Sequence, residues 1–79
     1  MKKNEFVNQL AEYCEFETPE LTLDTPLKSI AGFDSLAIMS IIAFIDENFN
    51  MKLTALQLQK ITDFNSIILL IGEDKFEND

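Results

Sequence analysis

The residues of this chain best placed to do chemistry are Asp34 and Ser35, a carboxylate and a hydroxyl side by side in Gly32-Phe33-Asp34-Ser35-Leu36. A serine can serve as a nucleophile when a base takes its proton, or it can be the acceptor of a group supplied by another protein. The first use needs a histidine or lysine beside it. The chain has no histidine and no lysine adjoins Ser35, so hydrolysis through Ser35 fails for want of a base. The second use needs a setting that tolerates the added group. Asp34 stands where an N-cap belongs, and an apolar-periodic run follows it. That makes Ser35 the first residue of a helix, where unpaired N–H donors and the partial positive charge of the helix end suit a phosphate. The pair therefore points to a serine that carries a phosphate ester. An Asp-Ser pair at a helix start is also commonly no more than a cap.

The helix behind the serine carries Ile38, Ile41, Ile42, Ile45 and Phe49 at helical spacing. Isoleucine is a modest helix former, so burial must stabilise this segment. Asn50 suits a left-handed stop, which sets the helix at residues 35–49. A second stripe, Leu36, Met39 and Ala43, runs offset from the isoleucines toward Asp46 and Glu47, and Phe44 lies between the two. A helix apolar on two sides is buried all round or meets a partner. Leu36 and Met39 fit either role; their offset favours docking.

At this point the residues resemble a family. Gly32-Phe33-Asp34-Ser35-Leu36 is similar to the phosphopantetheine attachment motif of acyl carrier proteins and the related peptidyl carrier proteins. Asp24-Thr25-Pro26-Leu27 resembles the segment of the long first loop before that motif, Asp46-Glu47-Asn48-Phe49 the acidic end of the second helix, and Ile61-Thr62-Asp63 the approach to the last helix. The resemblance covers about residues 4 to 72. It implies an all-α, four-helix antiparallel bundle with a long first loop, three longer helices and a short third one. It implies that Ser35 takes a 4′-phosphopantetheine arm from coenzyme A through a phosphopantetheinyl transferase. The arm would carry an acyl or aminoacyl group as a thioester to a ligase, acyltransferase or ketosynthase. Asp34 would cap the helix and help the transferase or its metal. Leu36, Met39 and Ala43 would form the apolar part of a docking face, and Asp46 and Glu47 its charged part. Such a carrier is not itself an enzyme and binds no metal of its own. The family's fatty-acid members typically have acidic residues along the front half of the second helix, where this chain has Ala37, Ile38, Met39 and Ser40. That departure favours a specialised pathway, for a polyketide, an aminoacyl group or a modified lipid, over housekeeping fatty-acid synthesis. The alternative from another class is an unmodified acidic module with the same fold that only docks a partner.

Composition sets the bounds. The chain has 79 residues, 47% of them apolar, enough for one core in a single domain over residues 1–79. A chain this size buries only roughly 60–68% of its unfolded surface, so its margin of stability is small. Fourteen acidic residues against six basic ones give a net charge of −8. That excludes nucleic acid as a natural partner and favours partners with basic docking surfaces; acidity for solubility alone is the plainer account. No apolar run is long enough for a membrane span. Met1-Lys2-Lys3-Asn4-Glu5 is not followed by an apolar stretch, so we expect no secretory signal, a cytoplasmic location and a monomer. Cys14 is the single cysteine, which rules out an intrachain disulfide, and its expected role is a small buried apolar residue.

The other elements follow from periodicity and punctuation. Asn4 is the expected cap of a first helix over about residues 4–15, with Phe6, Val7, Leu10, Ala11 and Cys14 inward. Thr18-Pro19 and Thr25-Pro26 interrupt helix in the connection that follows. Leu21, Leu23, Leu27 and Ile30 anchor that connection, and a short turn can open there with Thr25 as its cap and Pro26 at its first position. Phe33 either packs down or lies beside an attached group; packing is the usual fate of a lone aromatic. Thr54 and Gln57 form a capping box for a short helix over about 55–60, with Leu56 and Ile61 inward and Leu58 open. Asp63 caps a last helix over 64–71, whose face is Phe64, Ile67, Ile68 and Ile71, widened by Leu69 and Leu70 and ended by Gly72. Residues 73–79 are expected to fray.

Overall fold

The computed structural model describes residues 1–16 and 20–77. Among these it has four α-helices: α1 (Lys3–Tyr13), α2 (Ser35–Phe49), α3 (Ala55–Leu58) and α4 (Phe64–Ile71). They form an all-α bundle with a long connection between α1 and α2. No described helix is long and apolar enough to cross a membrane. The Thr18-Pro19 break lies outside the described residues.

The longest helix is built as its ends predict. Asp34 has extended backbone and its Oδ1 accepts the Ala37 N–H at 3.0 Å. Asn50 closes the other end in the left-handed region, with φ 54°. The buried face differs in phase from the isoleucine stripe. Ala37, Ile41, Phe44 and Ile45 are buried, while Ile38, Ile42 and Phe49 are half-buried. Phe44, expected between the stripes, turns the helix: its ring meets Phe6 edge-on at 5.9 Å, and the larger apolar area of an aromatic outweighs the rim isoleucines.

The first helix begins and ends earlier than expected. Lys2, not Asn4, is its cap, and the Lys2 backbone N–H donates to Glu5 Oε1 at 3.3 Å. Asn4 lies inside the first turn, because the burial of Phe6, Val7 and Leu10 and the pairing of Lys2 beside Glu77 fix where the turn starts. At the other end Cys14 is the C-cap and Glu15 adopts φ 59°. The Glu15 N–H donates to Glu12 O at 3.1 Å and the Phe16 N–H to Ala11 O at 2.9 Å. This is a Schellman closure with glutamate where glycine is usual.

The long connection is stitched to the start of α4. The Leu27 N–H donates to Thr62 O at 2.9 Å, the Asn65 N–H to Leu23 O at 3.2 Å, and Asn65 Nδ2 to Asp24 Oδ1 at 2.8 Å. Leu27 and Ile30 are buried and Leu21 and Leu23 pack against the same core. The short 3-10 turn spans Leu27–Ser29 and is capped by Pro26. Thr25 is not its cap, since its hydroxyl instead accepts the Thr22 N–H at 2.8 Å.

The short third helix has its Thr54–Gln57 capping box but stops at Leu58 rather than Lys60. Leu58 and Ile61 are buried, and Leu56, expected inward, is 69% exposed. Four residues give only one inward face, and Leu58 takes it. The last helix buries Phe64, Ile67, Ile68 and Ile71 beneath the Asp63 cap, while Leu69 points outward. Residues 73–77 do not fray. They form a 3-10 turn over Glu73–Lys75, Phe76 is 8% exposed, and the Glu77 N–H donates to Met1 O at 3.0 Å. Phe76 stands 5.4 Å from the Phe6 ring and 5.2 Å from the Phe49 ring, so it closes the bottom of the core.

Candidate functional site

The approach to α2 is a turn that only glycine makes easily. Gly32 has φ 88°, and a Cβ there would meet nothing within 4 Å. The requirement is conformational, not spatial. The next residue, Phe33, is half-buried, with its ring 6.3 Å from the Phe16 ring and packed on the core. It is an anchor for the turn. Its N–H donates to Ile30 O at 3.2 Å.

This anchor presents Asp34 and Ser35 to solvent. Both are exposed. The Asp34 carboxylate satisfies the amide of Ala37, the third residue of the helix, so the first-turn amides of Ser35 and Leu36 remain at the positive end of a 15-residue helix. A phosphate attached to the Ser35 oxygen would sit among them.

Beside the serine lies a groove of about 520 Å³ between the end of α1 and the front of α2. Asp34 and Leu36, the neighbours of Ser35, both line it, as do Ala37, Met39, Ser40 and Ala43. Leu36 is 76% exposed and Met39 60%, so neither belongs to the core. Ala43 is half-buried, and Asp46 and Glu47 are exposed further along the same helix, outside the groove.

The opposite wall was not legible in the sequence. It is made by Tyr13, Cys14 and Glu15, from a helix whose periodicity indicated no site. Tyr13 is held edge-on to Phe44 with 5.5 Å between ring centroids. The Schellman closure turns Glu15 to the groove. Only the missing glycine after Cys14 hinted that this helix end was unusual. The Cys14 sulfur lies 4.0 Å from Ala37 O. Burial pushes its thiol up to about 11, so at neutral pH it is protonated and a poor nucleophile.

A second groove, about 450 Å³, runs between α3 and α4, with the exposed Leu56 and Leu69 among its walls and no residue of α2. Among the described residues, no group of three or more histidine, cysteine, aspartate or glutamate side chains converges as a metal site.

A family model described as the phosphopantetheine attachment site matches residues 4–71. No curated protein and no solved structure matches the chain.

Proposed function

We propose that this chain, which belongs to the phosphopantetheine-attachment family of carrier proteins, holds its arm on Ser35 and carries an acyl or aminoacyl group as a thioester between enzymes of a specialised biosynthetic pathway. The cofactor of the family is covalent 4′-phosphopantetheine. The single observation that carries the choice of Ser35 is its exposure as the first residue of α2, directly after a carboxylate that caps the helix.

The residues fit the group. The acceptor hydroxyl is exposed, the first-turn amides can take the phosphate charge, and the flanking side chains leave an open groove. In the transfer, Ser35 Oγ attacks the phosphorus of coenzyme A that bears the pantetheine. A phosphodiester forms, the serine proton leaves to a base on the transferase, and the adenosine bisphosphate departs. The loaded arm supplies a thiol for thioester exchange. This chain's residues position it and present it to partners.

Leu36 and Met39 offer a partner apolar contact, with the half-buried Ala43 further along the helix and Asp46 and Glu47 supplying charge. Such contacts give speed of encounter more than tight affinity. Partners are the transferase and then a ligase, acyltransferase or ketosynthase. The pathway reading rests on the absence of acid along the front of α2. There Leu36 and Met39 are the exposed side chains, Ser40 is half-buried, and Ala37 is buried, where no charged residue would fit.

The test is intact mass after incubation with coenzyme A and a broad-specificity phosphopantetheinyl transferase. We expect a gain of one phosphopantetheine on the wild-type chain and none on Ser35→Ala, whose helicity is unchanged. No gain with several transferases would leave an unmodified docking module.

A further inference from the structure

Resting on that reading, we propose that the arm on Ser35 does not hang free but lies along the groove between α1 and α2, against Tyr13, Leu36, Met39 and Ala43. The occupant is set by position. The groove begins at the two neighbours of the attachment residue, Asp34 and Leu36. The groove between α3 and α4 is lined by no residue of α2, so an arm rooted on Ser35 meets the first groove before the second.

The chemistry of the walls also matches. A pantetheine arm alternates an apolar gem-dimethyl and methylene chain with a hydroxyl and two amides. Leu36, Met39 and Ala43 give apolar contact on one side. Tyr13, Glu15 and Ser40 also line the groove and bring hydroxyl and carboxylate groups of the kind that can pair with amides. Beyond its phosphate the arm is neutral, so the carboxylates here do not repel it. From Ser35 to Ala43 the helix rises about 12 Å. An extended arm is longer than that, which leaves the thiol emerging past Ala43, open to a partner.

Met39 gives a direct probe, because the chain has three methionines, Met1, Met39 and Met51, and of these only Met39 lines the groove. The full chain is labelled at the methionine methyl carbons, and its apo and holo forms are first separated by intact mass. We expect the Met39 methyl resonance to move on loading and to show filtered cross-peaks to the gem-dimethyl or methylene protons of the unlabelled arm. The Met1 and Met51 methyls should not. A chain that carries the arm by mass yet shows Met39 unmoved and without cross-peaks would overturn the groove while leaving the carrier reading intact. A chain that never gains the arm would overturn both.

Discussion

The Asp34 carboxylate caps α2 and, on the proposed reading, also serves the transferase, and substitution can separate the two. Its Oδ1 caps α2 through the Ala37 N–H at 3.0 Å, and its negative charge stands beside Ser35, the proposed acceptor of the arm. Asparagine keeps the first role and removes the second; alanine removes both. Loss of an aspartate cap costs about 1 kcal/mol. For a domain of this size that lowers Tm by roughly 4–8 °C. Asparagine caps as well as aspartate and forfeits only the charge–dipole interaction, about 0.5 kcal/mol at low salt, or roughly 2–4 °C. Asp34→Asn should therefore stay close to wild type in a thermal scan, and closer still in high salt. In the transferase reaction the order of importance changes. If the carboxylate helps to position the transferase or its metal, both variants should load at least about tenfold more slowly, equivalent to about 1.4 kcal/mol of lost transition-state stabilisation. Loading rates by intact mass, at 25 °C where both variants are folded, supply the comparison. Asp34→Asn loading at the wild-type rate would refute a role for the charge. Asp34→Ala melting within a degree of wild type would refute the cap.

Other outcomes follow from the same structure. Leu36→Ala and Met39→Ala should each change stability by no more than about 0.5 kcal/mol, because both side chains are exposed, yet slow transfer to or from a partner enzyme; urea midpoints and a loading assay read the two effects, and a large loss of stability would return these residues to the core. Phe76→Ala should cost about 3 kcal/mol in urea unfolding, the low end for a buried phenylalanine, and a change under 0.5 kcal/mol would mean that the terminal segment is not packed. Cys14 should alkylate at pH 8 at least about a hundredfold more slowly than a free cysteine, because the thiolate is the reactive form and its pKa is raised to about 11. The same shift makes stability fall as pH rises. The fold favours the protonated thiol, so its contribution is full below pH 9.0 and lost between 9.0 and about 11. Cys14→Ala should flatten that part of the stability profile.

What was legible in the sequence is local. Asp34 with Asn50, Thr54 with Gln57, and Asp63 with Gly72 each mark a helix by chemistry confined to a few residues, and the structure has those caps. The apolar face of α4 also follows from spacing alone, since eight residues with isoleucine and phenylalanine at every inward position leave little choice of phase. What was not legible depends on distant partners. The phase of α2 turns on whether Phe44 meets Phe6, thirty-eight residues earlier in the chain. The order in residues 73–77 turns on Phe76 finding the space between Phe6 and Phe49. A polar, acidic tail with one phenylalanine reads as frayed until that cavity is known. The site was legible in part for the same reason. Ser35, Asp34, Leu36 and Met39 lie within six residues of one another, whereas Tyr13 and Glu15 reach the groove only through the way α1 ends.

The placement of the arm and the placement of a partner are not independent. Leu36 and Met39 line the groove and are also the most exposed apolar side chains of α2. An arm lying against them and a partner seated on them compete for the same surface. On that reading, binding of the partner would lift the arm out of the groove, and contact with the partner would replace the apolar area the arm gives up. Charge then has a different task. Asp46 and Glu47 lie beyond the groove at the far end of α2, the end toward which the arm would run, and on the proposed reading they would steer a basic surface to it. Removing the two acids should slow association and its response to salt while leaving the arm's contact with Met39 unchanged. Loss of that contact in Asp46→Asn, Glu47→Gln holo protein would show that steering and arm placement are one function rather than two.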